Sequence, residues 1–247
     1  MESKPRTKHQ PILERFYQID VENPLYELSI DEAGRGCLFG RVYIACVVLP
    51  KEPELFSGKD IKDSKKFSSK KKINEMAEYI KEHALVWHVA YVEAGMIDKT
   101  NILRSVMQGM HECIRSGMTK LQETMHASPP ITMNNCMAVI DGNYFTPYTE
   151  YDTDMECIRS ISHVTVEKGD AKYMAIAAAS ILAKTARDNY VLDMCQQYPA
   201  LNDRYGFESN MGYGTKTHLE GIREHGICQW HRRSFGAACQ NADLNPI

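Results

Sequence analysis

The side chains best suited to chemistry in this chain are carboxylates that close apolar segments. Asp31 and Glu32 end an alternating run and stand directly before Ala33, Gly34, Arg35 and Gly36. Asp141 ends the apolar run from Met137 to Ile140 and precedes Gly142, while Asp170 follows Lys168 and Gly169 where a long small-residue helix is predicted to begin. Adjacent strand side chains point to opposite faces, so Asp31 and Glu32 share one site only if the chain leaves the strand between them, a turn that Gly34 and Gly36 allow. Acidic groups gathered at strand ends raise one another's proton affinity unless a cation sits among them. Four oxygen donors of this kind suit magnesium or manganese. Taken singly, Asp170 reads equally as a helix N-cap and Asp141 as a turn residue.

Basic and aromatic residues fall in a second set of positions. Gly34 to Gly36 present successive backbone N–H groups around Arg35, and the missing side chains let a sugar or phosphate approach. The chain has no GxGxxG dinucleotide loop, no GxxxxGK[ST] phosphate loop and no GxSxG nucleophile elbow. Between Lys59 and Lys72 seven lysines face Asp60 and Asp63, a local charge of +5. Lys70 to Lys72 fall inside a predicted capped helix and read as a solvated face. Lys65 and Lys66 precede that helix in the loop Asp63, Ser64, Lys65, Lys66, a position suited to a phosphate neighbour. Tyr213 lies between Gly212 and Gly214, where a ring can lie flat on a sugar or base. His218, His231, Arg232 and Arg233 follow without HxxxH spacing, so hydrogen bonding or phosphate contact is expected of them rather than zinc ligation.

These groups need a scaffold that brings separated strand ends together. Tyr26, Leu28 and Ile30 alternate with Glu27 and Ser29 in a first strand, and Val42 to Leu49 forms a second. Ser68 or Ser69 caps a helix carrying Ile73, Met76, Ala77 and Ile80 at helical spacing. A β-rich segment from Leu85 to Val92 follows, then a helix from about Asp98 to Arg115 with Gly117 placed to stop it. Met118 to Asn135, with Ser128, Pro129 and Pro130, has no period and reads as a loop or insertion. Strands at Met137 to Ile140 and near Ile158 to Val166 lead into the helix from Asp170 to about Cys195. This alternation predicts an α/β fold with a mixed sheet. Residues 1–24 read as a leader that packs one turn of helix on the body through Ile12, Leu13, Phe16 and Tyr17. Residues 25–195 form the core, and 196–247 a helical C-terminal part of the same domain.

Composition narrows the classes. With 247 residues, 43% apolar and 25% charged, the chain is long enough to fold on one hydrophobic core, which excludes disorder and a disulfide-stapled miniature. Its eight cysteines show no CxxC pairing, so free thiols in a reducing compartment are expected. The longest apolar run, Val42 to Leu49, is too short to span a membrane and the first ten residues are polar, which places the protein in the cytoplasm or alternatively the nucleus. A net charge of −3 taken alone argues against a nucleic-acid partner. It conceals the +5 lysine segment and a correspondingly acidic remainder.

In order along the chain, seven segments resemble the type 2 ribonuclease H family, ribonuclease HII. They are IDEAGRG (Ile30 to Gly36), DSKK (Asp63 to Lys66), VIDG (Val139 to Gly142), EKGD (Glu167 to Asp170), AAASILAKTARD (Ala177 to Asp188), GYGT (Gly212 to Thr215) and HRRSF (His231 to Phe235). The resemblance implies a ribonuclease H-like mixed sheet with flanking helices and a small helical C-terminal part. It implies that Asp31, Glu32, Asp141 and Asp170 are catalytic carboxylates holding two divalent ions, Mg2+ or Mn2+. Gly34, Arg35 and Gly36 are then the loop that reads a ribonucleotide 2′-hydroxyl, Lys65 the lysine beside the scissile phosphate, and Tyr213 the tyrosine packing at the RNA–DNA junction. The implied substrates are RNA/DNA hybrids and duplex DNA with embedded ribonucleotides. Asp188 lies five turns from Asp170 and is read as structural, paired with Arg187 or a C-terminal arginine. Ala177 to Ser180 form a small face for close sheet packing. Cys37 stands where the family more often has proline, and Arg41 and Tyr43 replace smaller residues. The last residues lack the aromatic pair of a sliding-clamp peptide, so no such partner and a monomer are expected. A silent hybrid-binding relative and a resolvase or exonuclease on the same fold are the competing readings; the intact carboxylates oppose the first, and the glycine loop with Tyr213 opposes the second.

Overall fold

Alternation along the strands sets the layers. The computed structural model describes residues 13–17, 26–126, 130–153 and 155–247. Its elements in chain order are β1 (Tyr26–Ala33), β2 (Val42–Val48), α1 (Lys70–His83), β3 (Val86–Val92), α2 (Ala94–Thr100), α3 (Ile102–Met125), β4 (Cys136–Asp141), β5 (Thr149–Asp152), β6 (Cys157–Ser160), β7 (Ser162–Val166), α4 (Met174–Gln197), α5 (Ala200–Tyr205), α6 (Phe207–Asn210), α7 (Lys216–His225) and α8 (Gly236–Gln240). Five strands form one sheet in the order β3-β2-β1-β4-β7. The first two neighbour pairs are antiparallel, and β1, β4 and β7 run parallel, which makes the sheet mixed as expected. Leu28, Ile30, Ile44, Cys46, Ala138 and Ile140 face α3 through Val106, Met110 and Ile114. The alternate residues Ala45 and Val47 face the other way, onto Ile73, Ala77 and Ile80 of α1 and Ala177, Ala178 and Ile181 of α4. The small face of α4 thus lets helix and sheet approach closely, a packing role as expected.

The C-terminal helices have their own cluster, in which Tyr205, Phe207 and Ile222 pack on Val191 and Cys195 of α4 and on Phe39. All eight cysteines are unpaired. No helix among the described residues is long and apolar enough to cross a membrane.

Four local expectations are corrected. Gly117 does not stop a helix: α3 continues to Met125, so the predicted loop from Met118 begins as helix. Gly117 is there because a Cβ would sit 2.6 Å from Leu28 Cδ2, a spacing demand of the α3–β1 contact rather than a capping one. The predicted strand from Ile158 to Val166 is two, divided at Ile161; β6 leaves the main sheet and pairs with β5 in a separate hairpin. The last long helix starts at Met174, not Asp170. The leader, where described, makes no helical turn. Glu14 bridges the chain beside Tyr173, with Glu14 N–H donating to Lys172 O at 2.8 Å and Met174 N–H donating to Glu14 O at 2.7 Å, which occupies an otherwise unpaired donor at the start of α4. Leu13 and Phe16 do pack on the α1–α4 cluster, while Ile12 lies outside the described residues.

Candidate active site

Parallel pairing of β1, β4 and β7 brings the carboxylates together. Ile30 of β1 pairs with Ile140 of β4, so Asp31 and Asp141 are the next residues on adjacent strands. Asp141 in turn pairs with Val166 of β7, and the chain beyond β7 turns within four residues to Asp170. Three carboxylates therefore stand at the C-terminal ends of three neighbouring parallel strands, the end where open α/β sheets bind ligands. Asp141 Oδ1 accepts the Gly169 N–H at 2.6 Å, which fixes the Lys168 to Asp170 turn against β4. Gly169 is required there: a Cβ would meet Asp141 Oδ1 at 3.1 Å and collide with Ile176. Asp170 lies in a short turn of 3-10 helix, and Tyr173 is the residue preceding α4, so Asp170 is not the cap of that helix.

Glu32 stays within electrostatic reach of Asp31 and Asp141. Strand β1 extends through Ala33, so the expected turn between Asp31 and Glu32 is absent, and the Glu32 N–H donates to Asp31 Oδ1 at 2.7 Å. Glu32 reaches Arg35, with 3.4 Å between Oε1 and Nη1. Asp31 is only 6% exposed and Asp170 8%. Burial raises the proton affinity of Asp31 well above the ordinary carboxylate range, and the charges of Asp141 and then Glu32 add to it. Burial likewise raises Asp170, helped by Asp141, and raises Glu32 against the pull of Arg35. Burial is the larger cause at all three carboxylates and the neighbouring anions the smaller. The all-carboxylate donor set fits a hard divalent ion. Among the described residues, no three His, Cys, Asp or Glu side chains form a ready-made cage for a metal. Magnesium sites commonly use one or two carboxylates and leave the remaining positions to waters and substrate phosphate oxygens.

Lys65 sits in a 3-10 turn capped by Asp63, and its Nζ lies 4.0 Å from Asp170 Oδ2. The side chain is 80% exposed, so this pair contributes little to stability and leaves the ammonium free to meet an incoming anion. Two serines join the site that sequence reading left out. Ser180 hydrogen-bonds Asp31 and lies 3.1 Å from Ser64 Oγ, linking α4, Asp31 and the lysine turn. The signal for Ser180 was a serine within an otherwise alanine face, which reads as packing until Asp31 is placed opposite.

The glycine loop is held from behind. Gly34 has φ +88°, and a Cβ would collide with the Arg187 side chain. A Cβ on Gly36 would touch nothing in the protein, so that glycine borders open space. Arg232, fully buried, donates from Nη1 to Arg35 O at 3.0 Å and from Nε to Gly40 O at 2.9 Å. Leu38 N–H donates to Gly212 O at 3.0 Å, joining this loop to the Tyr213 segment. The Tyr213 ring is 48% exposed, with the Arg187 guanidinium carbon 5.4 Å from its centre. Cys37 lies against the Tyr213 hydroxyl. Arg41 is clamped by Glu93, Tyr91 and Tyr190, so the positions that depart from the family pattern are packed rather than loose. Asp188 binds Lys184 at 2.7 Å and stands 3.5 Å from Arg187, away from the carboxylates as expected. Of the two roles expected for His218 and His231, hydrogen bonding or phosphate contact, the structure shows the first: both are buried and hydrogen-bonded, and buried Arg232 bonds loop carbonyls.

Comparisons with known proteins agree with this arrangement. The family profile Ribonuclease HII matches residues 28–238. A curated Ribonuclease HII from Parabacteroides distasonis is 41% identical over 215 residues, covering 87% of this chain and 92% of that protein. Among solved structures, the PCNA:RNase HII complex from Archaeoglobus fulgidus matches with a TM-score of 0.59 at 24% identity, over 86% of this chain and 96% of that one. Bst-RNase HIII in complex with Mn2+ matches with a TM-score of 0.57 at 18% identity, over 88% of this chain and 69% of that one. At these identities the two structures speak to the fold alone, whereas the sequence matches reach the activity. The chain belongs to the ribonuclease HII family, type 2 ribonuclease H endonucleases that act on RNA/DNA hybrids.

Proposed function

We propose that this protein hydrolyses the RNA strand of hybrids and cuts on the 5′ side of ribonucleotides embedded in duplex DNA, leaving 3′-hydroxyl and 5′-phosphate ends. The observation that carries the reading is the alignment of Asp31, Asp141 and Asp170 at three adjacent parallel strand ends, beside a glycine loop whose Gly36 borders open space. Asp31, Glu32, Asp141 and Asp170 would hold two divalent ions, Mg2+ or Mn2+. When bound, such ions activate the attacking water and stabilise the departing 3′ oxygen. Lys65 offsets charge on the scissile phosphate. The backbone of Gly34, Arg35 and Gly36 reads the 2′-hydroxyl, the one group that distinguishes RNA from DNA there. Tyr213 presents a flat ring to the sugar at the junction. These activities place the protein in ribonucleotide and primer removal during DNA replication and repair.

The test is a labelled DNA duplex with one ribonucleotide, incubated with magnesium or manganese. Cleavage on the 5′ side of the ribonucleotide is expected, and cleavage of all-DNA duplex instead would overturn the reading. Asp31→Asn and Asp141→Asn should each abolish cleavage while duplex binding persists; activity retained in both removes the assignment of the carboxylates.

A further inference from the structure

Behind Tyr213 lies a hydrogen-bond chain whose direction is fixed by its first donor. Cys228 N–H donates to His231 Nδ1 at 3.0 Å. A backbone N–H can only donate, so Nδ1 is an acceptor and the neutral ring carries its hydrogen on Nε2. His231 Nε2 lies 3.0 Å from His218 Nε2, which must then accept, leaving the His218 hydrogen on Nδ1. That nitrogen lies 2.9 Å from the Tyr213 carbonyl oxygen. Both rings are buried, at 0% and 2% exposure, among Tyr205 and Phe207. Burial lowers their pKa values to about 4 and about 3, so both are neutral at pH 7 and the chain is intact.

The far end of this chain is the backbone of the one aromatic ring the site exposes. Gly212 takes φ +74° and Gly214 follows, so the segment depends on contacts from outside it: Leu38 N–H on Gly212 O, Arg187 beside the ring and Cys37 at its hydroxyl. Its N–H donates to Asn210 O at 3.0 Å, and its carbonyl accepts from Thr215 N–H at 2.7 Å as well as from His218. Among the described residues, His218 is the one hydrogen-bond partner of the Tyr213 backbone that lies outside the Asn210 to Thr215 turn. We propose that His218 and His231 are positioning residues for ribonucleotide recognition, a buried pair that sets the Tyr213 ring through its carbonyl. This rests on reading Tyr213 as the residue that packs against the junction sugar.

The experiment measures kcat and KM for a single-ribonucleotide duplex, with the thermal midpoint of every variant in parallel. His218→Phe keeps the ring volume and removes both nitrogens; His218→Asn retains an amide N–H near the Nδ1 position. His218→Phe should raise KM about three- to tenfold, the range of one lost hydrogen bond, with a smaller change in kcat. His218→Asn should recover most of that loss. In a Tyr213→Ala background the Phe substitution should add less than about twofold, since it acts through a ring no longer there. An undiminished loss in that background overturns the proposal and leaves the reading of Tyr213 standing. Tyr213→Ala with unaltered kinetics overturns that reading and the proposal with it. Long-range 1H–15N NMR of the unsubstituted protein tests the chain whether or not variants fold: Nδ1–H at His218 and Nε2–H at His231 are expected, and the opposite tautomers overturn it.

Discussion

Acidification should destabilise this protein through two histidines that touch no substrate. In the folded chain His218 and His231 have pKa values lowered to about 4 and about 3 by burial, with His218 adding to the effect on His231. In the unfolded chain each returns to about 6.5. A depressed folded value means that the unfolded state takes protons first. The stabilising contribution is therefore complete above about pH 6.5, falls as pH drops through that value, and levels off near pH 4 to 3 where the folded rings protonate. Between pH 7 and pH 5 each ring costs about 2 kcal/mol, about 4 kcal/mol together, a large share of a typical domain's 5–15 kcal/mol. In the middle of the window the slope approaches about 2.7 kcal/mol per pH unit for the pair. The carboxylates around Asp31 have raised proton affinity and act in the opposite sense as pH falls, so a bare stability curve mixes the two effects. Urea unfolding at several pH values, comparing the wild type with a His218→Gln/His231→Gln double variant, isolates the histidines because the carboxylates cancel in the difference. The wild type should lose stability more steeply than the variant, by about two protons' worth of slope at most. Parallel curves between pH 7 and pH 5 would refute the argument, whatever the offset between them.

Two further outcomes follow from the site. Gly34→Ala places a Cβ against the Arg187 side chain at φ +88°, so it should cost about 1–3 kcal/mol in stability and lower cleavage at a single ribonucleotide by more than tenfold, measured by thermal unfolding and by steady-state kinetics. A variant with wild-type midpoint and rate would show that the loop tolerates displacement. Magnesium or manganese should raise the thermal midpoint by relieving repulsion among Asp31, Asp141 and Asp170, the gain in unfolding free energy being about 2.7 kcal/mol at a hundredfold excess over Kd, and chelation should reverse it. The same rise in an Asp31→Asn/Asp141→Asn variant would place the ion elsewhere.

Much of the site was legible because its residues interrupt regular patterns. Asp31 and Asp141 each come directly after apolar strand residues, and both fall at the sheet end where β1, β4 and β7 stop. Local rules failed where tertiary spacing overrode them. Gly117 carries a helix-stop signal, yet α3 runs past it because Leu28 needs the room a side chain would take. The Ile161 break between β6 and β7 leaves no mark in composition, since the apolar run continues across it and only pairing divides it. The choice between hydrogen bonding and phosphate contact for His218 and His231 stayed open because nothing in the sequence reveals that Tyr205 and Phe207 enclose them.

The split between chemistry and recognition has a structural basis in residues 33–40. The carboxylates are anchored by the sheet, whereas the glycine loop is anchored by the C-terminal part. Leu38 bonds Gly212, Gly40 N–H bonds Trp230 O at 2.9 Å, Arg232 N–H bonds Leu38 O at 2.8 Å, and the Arg232 guanidinium takes two more loop carbonyls. A loop that must keep one face bare for a ligand cannot be stiffened by side chains on that face, so carbonyls bound from behind are the means left to it. Arginine suits this better than lysine, because its planar fork reaches Arg35 O and Gly40 O at once. Burial lowers the Arg232 pKa only to about 10, so the group stays charged at pH 7. Arg187 adds a second buried cation beneath Gly34. A chain with net charge −3 thereby keeps fixed positive charge directly behind the surface that a polyanion must approach, in surroundings where salt screens it less than it screens exposed lysines.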